Sequence, residues 1–461
     1  MNSEKPNRVP HPSLYQRIIR SIFPQPLFPK TERQRHRFLL RNLPLHFRPA
    51  TVPEKTLRLS LSWGLGGMTA VLVLLQIGTG VLLKFIYEPT PLGAYASVQT
   101  IIQDVPFGRL IRNLHHWAAH LLVLMAFLYL LRIFFTGAFH APRQFNWVVG
   151  LCLFGTILAA NVTGYLLPWD QLAFWAVTVA TGMVAYIPVV GPGLQEVVRG
   201  GDAIGPATLS NFFAVHTALI PIFLTALMAF HFWRIRRAGG LVIPRLPEEP
   251  PDPNPVRLTS VPNLLLREVT VALVLIALLV LAASLIDAPL EGPANPGLSP
   301  NPTRAPWYFA GIQELLLHLH PAVAVCAIPF LIGIGLVSIP YMPYDGDTGG
   351  IWFSSRLGRR TAVAAAVFGS VGTILLIAFG EWLSAHDIRT GISSLIGSGL
   401  MPVALLLVAM AAYYSLLRRR YAANRNEAVQ AVFVMLVAAY GVLTITSVWF
   451  RGEGMTLRLP W

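Results

Sequence analysis

The sequence predicts an all-α integral membrane protein, a helical bundle of about nine transmembrane helices with its N-terminus in the cytoplasm. Three observations predict it. Of 461 residues, 54% are hydrophobic and only 12% charged, too few charges to cover a soluble domain. Nine apolar runs are each long enough to cross about 30 Å of hydrocarbon. They centre on 60–85, 113–135, 146–167, 210–233, 269–286, 321–341, 362–383, 397–417 and 428–450. None alternates as a barrel strand does, so helices must satisfy the backbone inside the bilayer.

Charge orients the bundle. Nine spans put the two chain ends on opposite sides. Lys84, Arg109, Arg112, Arg199, Arg304, Arg389, Arg451 and Arg458 fall on one side, and the other 27 of the 35 Lys and Arg on the side of the N-terminus. That is the positive-inside pattern, so the N-terminus is cytoplasmic. The formal net charge of +14 is therefore read as topology and anionic-lipid contact, not as a nucleic-acid footprint.

Residues 1–57 form a basic cytoplasmic segment without an apolar signal-peptide core. Within it, SLYQRIIRSIF (Ser13 to Phe23) sets Leu14, Ile18, Ile19 and Ile22 against Arg17 and Arg20. That pattern reads as a short helix lying in the interface, the alternative being a disordered basic tail. Four closely spaced spans occupy 58–240. The Pro-rich stretch 241–265 cannot be helical and reads as a semi-rigid cytoplasmic linker. Residues 266–345 and 346–461 carry the remaining spans. The two long outer connections, 168–209 and 287–320, are of a length that usually serves function or covers something. Cys152 and Cys326 lie in apolar spans and read as inert packing residues. No CxxCH and no Cys/His cluster suits an iron–sulfur centre, so such a centre is expected on another chain.

Intramembrane histidines are costly and rarely decorative. The second span opens LHHWAAH, with His115, His116 and His120; the fourth carries His216 and His231. Both spans run inward, so His115 and His216 start their helices at the same outer depth, as bis-histidine haem ligation requires. His231 lies 15 residues beyond His216, about 22 Å deeper and near the same face. A second haem could stack there, but the matching position on the second span is Tyr129. His120 is turned about 140° from His115 and lies too shallow to fill that gap; it and His116 read as structural or interfacial. Glycines repeat the spacing: Gly66 and Gly80 on the first span and Gly150 and Gly164 on the third are each 14 apart. A glycine admits a flat macrocycle close to the backbone, although helix packing also uses glycine. Arg112 and Arg132 flank the two levels, as propionate partners or as ordinary helix-end arginines.

The motifs LIRNLHHW, TGYLLPWDQ, FFAVHTALIP, MAFHFWRIRR and APWYF resemble cytochrome b of the quinol–cytochrome c oxidoreductases, over about residues 60–345. The 15-residue histidine step and PWDQ are similar to the chloroplast-type branch, and 346–461 resembles bacterial versions of the subunit. The resemblance implies a cytochrome b-like bundle in a bacterial cytoplasmic (inner) membrane, with 58–240 as the haem-binding part and 266–345 as the quinol-site half. It implies haem b on His115 and His216, a second haem on His231 and position 129, and quinone pockets on either side. Partners would be Rieske-type iron–sulfur or multi-haem cytochrome subunits in a dimeric complex. In the family, quinol sends one electron to the iron–sulfur partner and the other inward through both haems.

Two departures bear on that transfer. Tyr129 stands where the family has a histidine, so the inner haem is absent, five-coordinate on His231, ligated by a partner, or bound with altered ligation, the reading preferred here. Ala305-Pro306-Trp307-Tyr308 replaces Pro-Glu-Trp-Tyr, removing the carboxylate that accepts a quinol proton. Glu314 is a candidate substitute beside Trp307 and Tyr308, with His318 and His320 as others; otherwise Glu314 is a solvated loop carboxylate. The leading expectation is a b-type cytochrome exchanging electrons between quinone and partner subunits. The alternatives are a membrane anchor with a non-bifurcating quinone site, and a haem-free scaffold. Gly64 stands where chloroplast-type relatives carry a cysteine that holds an extra haem, so none is expected there.

Overall fold

The computed structural model describes residues 13–22, 31–32, 49–246, 249–346, 348–353, 355–386 and 396–459. Most of 1–57, and Arg389, lie outside the described residues. Among those described, nine helices are long and apolar enough to cross a membrane. They are Leu65–Lys84, Gly108–Phe135, Gln144–Tyr165, Pro206–Arg237, Ser260–Leu285, Val323–Tyr341, Arg356–Leu383, Ser398–Arg420 and Arg425–Trp449, here the first to ninth spans. Each overlaps one predicted run. The first begins at 65, not 60, because Trp63 and Gly64 take left-handed φ values of 53° and 67° and break the helix after a short turn. The fifth begins earlier than the linker reading allowed. Val261 is extended, as the residue before Pro262 prefers, and the helix runs on from there.

The first four spans form a bundle, the first packed on the second, the second on the third and the third on the fourth. The fifth covers the first two. A two-stranded antiparallel pairing, β1 (Thr51–Pro53) with β2 (Arg257–Thr259), ties the approach to the first span to the approach to the fifth. The segment Leu14–Ile22 is helical. Arg234 donates to the carbonyls of Ser21 and Ile22, and Ser21 Oγ lies 3.1 Å from Tyr341 Oη, fastening that helix to the ends of the fourth and sixth spans.

The C-terminal spans are not an appendage. The seventh and ninth pack on each other, and the ninth also packs on the short helix Trp307–His318. Phe433 meets Phe134 at 4.2 Å between ring centres, and Gln430 Nε2 donates to the Phe135 carbonyl at 3.1 Å. The two outer connections also dock together. Asp170 accepts from Ala173 N as a helix cap and from Glu291 N at 3.0 Å, and Gln171 N donates to Gly292 O at 2.9 Å. Cys152 is exposed on the bundle surface, which corrects its reading as a packing residue.

Val215–Leu219, Val323–Ala327 and Ile396–Leu400 are π-helical turns. Each is followed two residues later by a proline: Pro221, Pro329 and Pro402. Proline has no N–H to donate and its ring collides with the carbonyl four residues back, so the helix widens there by one residue.

Candidate functional site

The π turn in the fourth span begins one residue before His216. It absorbs one residue between His216 and His231, so their 15-residue step performs geometrically like the 14 residues separating His115 from Tyr129. Two levels result, each with one residue from the second span facing one from the fourth.

At the outer level the His115 and His216 rings stand edge to face, 6.2 Å between centres. Thr79 Oγ1 lies 2.9 Å from His115 Nδ1, and the Ala160 carbonyl 3.0 Å from His216 Nδ1. With each Nδ1 so engaged, Nε2 is the nitrogen available on both rings. Gln76 Nε2 donates to the His115 carbonyl at 2.8 Å.

At the inner level Tyr129 Oη lies 3.3 Å from His231 Nε2, with ring centres 6.1 Å apart. His231 is 5% exposed. Two small cavities adjoin this pair. Tyr129, Leu130, Gly150 and His231 line both of them; Arg132 and Arg143 line the first, Gly66 the second.

The four glycines match the four facing residues one for one. A Cβ on Gly80 would lie 3.2 Å from His115 Cε1, and one on Gly164 only 2.6 Å from His216 Cε1. On Gly66 it would lie 3.3 Å from the Tyr129 ring, whereas on Gly150 it would meet only ordinary contacts, Leu130 at 3.5 Å and His231 Cε1 at 3.8 Å. Gly66, Gly80 and Gly164 therefore clear the facing side chains themselves, a role the sequence reading had given to the macrocycle.

The arginines differ. Arg132 is buried beside the inner cavity, and its Nε donates to Leu61 O at 3.3 Å. Arg112 gives Nη1 to Ala288 O and Nη2 to Pro289 O, at 2.8 and 2.7 Å, and with Asn113 ties the outer loop to the start of the second span.

Around the APWYF helix, the structure joins Trp307 to His120 and Tyr308 to Asn161, and buries Glu314 against Arg451. Trp307 Nε1 donates to His120 Nδ1 at 3.0 Å, and Tyr308 Oη donates to Asn161 Oδ1 at 3.4 Å. Burial holds the Tyr308 phenol well above its usual range, and nearby Tyr165 adds to this. Glu314 is 0% exposed, so it is not a solvated loop carboxylate. Arg451 clamps it, Nε to Oε2 at 3.0 Å and Nη2 to Oε1 at 2.5 Å; His318 Nε2 lies 3.2 Å from Oε1. Arg451 Nη1 also pairs with Glu381 at 2.8 Å. Burial alone would raise the Glu314 pKa, but the bonds from His318 and Arg451 outweigh it and leave it below the usual value. Sequence reasoning missed Arg451, Glu381 and the place of His120, for which a helical periodicity within one span carries no signal. His320 donates its backbone N–H to Ser398 O at 2.8 Å, and its ring faces Tyr186.

A family model described as cytochrome b/b6/petB matches residues 52–239. Cytochrome b6 of Synechococcus sp. (strain CC9902) is 45% identical over 175 residues, 38% of this chain and 80% of that protein. Cytochrome b6 of Synechocystis sp. (strain ATCC 27184 / PCC 6803 / Kazusa) is likewise 45% identical over 175 residues, 38% of this chain and 79% of that protein. Among solved structures, a chain from "Hyperthermophilic respiratory Complex III" superposes with a TM-score of 0.59 at 19% identity, covering 90% of this chain and 95% of that one. The structural likeness is one of fold, and it takes in more of the chain than residues 52–239.

Proposed function

The chain belongs to the cytochrome b/b6 family, and from that premise we propose how its residues serve a b-type cytochrome subunit in quinol-linked electron transfer. The family binds haem b and quinone as part of a respiratory or photosynthetic oxidoreductase complex in a membrane. When bound, haem supplies one-electron carriers whose potentials the axial ligands and the low-dielectric bundle set. His115 and His216 would hold the outer haem, and their Nδ1 partners Thr79 and the Ala160 carbonyl fix ring orientation. His231 would ligate an inner haem of altered ligation, with Tyr129 at the facing position, Gly66 and Gly150 at the pocket lining and Arg132 at the cavity wall. Arg112 secures the outer loop over the outer level.

Trp307 and Tyr308 wall the outer quinone site. Oxidised quinol is a strong acid, so a weak base suffices to take its proton. Glu314 is that base in this reading, with His318 3.2 Å from it and half-exposed Glu381 sharing its Arg451 partner. Rieske-type or multi-haem cytochrome partners, a dimeric assembly and a bacterial cytoplasmic membrane complete the proposal. The 3.3 Å contact of Tyr129 with His231 favours a second reading, an anchor that passes electrons one way without bifurcation.

The observation that carries the function is the pair of opposed imidazoles 6.2 Å apart, each backed by its own glycine. Replacing both His115 and His216 by Ala in the complex should abolish the outer haem's low-spin signal in a reduced-minus-oxidised spectrum. A full low-spin b-type spectrum in that variant would refute it. Pyridine haemochrome of the unaltered chain counts the haems: two support both levels, and one the truncated route.

A further inference from the structure

We propose that His120 holds a ring oxygen of the quinone in the outer pocket through its Nε2–H, an inference that rests on the quinone-site reading of Trp307 and Tyr308. The helix 307–318 brings three polar groups to one place. Two of them are spent on docking: Trp307 Nε1 on His120 and Tyr308 Oη on Asn161. Pro306, where the family carries a carboxylate, offers neither donor nor charge. His120 is the third group, and it has a nitrogen to spare.

Its tautomer is fixed by the contact it makes. An indole N–H can only donate, so His120 Nδ1 must accept, and the neutral ring's proton sits on Nε2. The imidazole thereby becomes a donor at its free end. Edge contact with His116, ring centres 4.7 Å apart, and the Tyr308 ring at 6.0 Å hold its orientation. Trp307 is 38% exposed and His120 half-buried, so the spot opens from the bundle surface. A quinone carbonyl is an acceptor with no proton of its own, and a quinol oxygen also accepts. A fixed donor beside a half-open aromatic wall suits both. In an apolar setting such a bond is worth more than in water, and a site built to make it discriminates against rings that cannot.

The test uses the intact complex carrying His120→Phe or His120→Gln. Readouts are KM and kcat for decylubiquinol and 2,3-dimethyl-1,4-naphthoquinol, and equilibrium affinity for the corresponding quinones. Affinity for 2,3-dimethylnaphthalene, the same ring without oxygens, is measured by competition. His120→Phe should raise KM and the quinone Kd about tenfold while leaving affinity for the hydrocarbon unchanged. Gln, whose amide N–H reaches the place of Nε2, should restore affinity to within about threefold. The outer haem spectrum from His115 and His216 should persist in both, which reports folding. Quinone Kd within threefold of the unaltered complex in His120→Phe overturns the inference. So does equal weakening of quinone and hydrocarbon, which would make His120 only a dock for Trp307. If the unaltered complex has haem that dithionite reduces and neither quinol does, the quinone-site reading fails, and this inference with it.

Discussion

Replacing Arg451 by Ala tests the buried charge network at the outer end. The substitution removes both bonds to Glu314 along with the pairing to Glu381 and a bond to Met455 O. Glu314 is 0% exposed and keeps only His318, 3.2 Å away. A buried carboxylate that loses its partner costs about 3–5 kcal/mol. Its escape is to take up a proton. From an ordinary carboxyl value of 4.5, protonation at pH 7 costs about 1.4 kcal/mol per unit, or about 3.5 kcal/mol. Both routes converge on a loss of roughly 3–4 kcal/mol at neutral pH. Glu381, half-exposed, adds little because water replaces its partner.

The sign of the pH dependence follows. In the native chain the Glu314 pKa lies below its unfolded value, so its stabilisation is complete at neutral pH and is lost as pH falls through the native pKa, below about 4.5. In Arg451→Ala the carboxyl instead resists ionisation, its native pKa lies above the unfolded one, and stability falls as pH rises. The penalty should therefore shrink from pH 8 to pH 5. The paired change Glu314→Leu with Arg451→Met, which leaves no stranded charge, should return to within about 1 kcal/mol of the unaltered chain. The assay is unfolding in mixed detergent micelles across that pH range. A loss below about 1 kcal/mol for Arg451→Ala, or a double variant no better than the single, would refute the reasoning.

Three further outcomes are expected. Gly164→Ala forces a methyl to 2.6 Å from His216 Cε1 and should displace that ligand, broadening or abolishing the outer haem's α-band. Gly80→Ala, at 3.2 Å from His115, should do so more weakly, and an order reversed in the spectra counts against the glycine assignment. Tyr129→His should place two imidazoles at the inner level and raise the low-spin haem content per chain in electron paramagnetic resonance, whereas Tyr129→Phe should not; equal spectra from both would remove position 129 from the ligand set. Asp170→Ala strips the cap on Ala173 N and the bond from Glu291 N, and should cost about 1–2 kcal/mol in the same micelle assay.

Much of this molecule is written along single helices. Nine apolar runs, the 14-residue glycine spacing, and His115, His216 and His231 are all local facts, because an α-helix converts sequence distance directly into depth and facing. A reader of the chain alone can therefore place both levels and notice Tyr129. The 15-residue step is harder, since it aligns only through the π turn that Pro221 imposes. What helices present to one another across long loops is not local at all. Glu314 and Arg451 are 137 residues apart, and His120 and Trp307 are 187 apart. No periodicity links them. Their meeting depends on how the ninth span and the 307–318 helix pack against the bundle. Burial then decides the chemistry: it makes Glu314 half of an ion pair and His120 a donor with a fixed tautomer. Composition and spacing set which side chains face inward, and only close packing of distant segments set which of them touch.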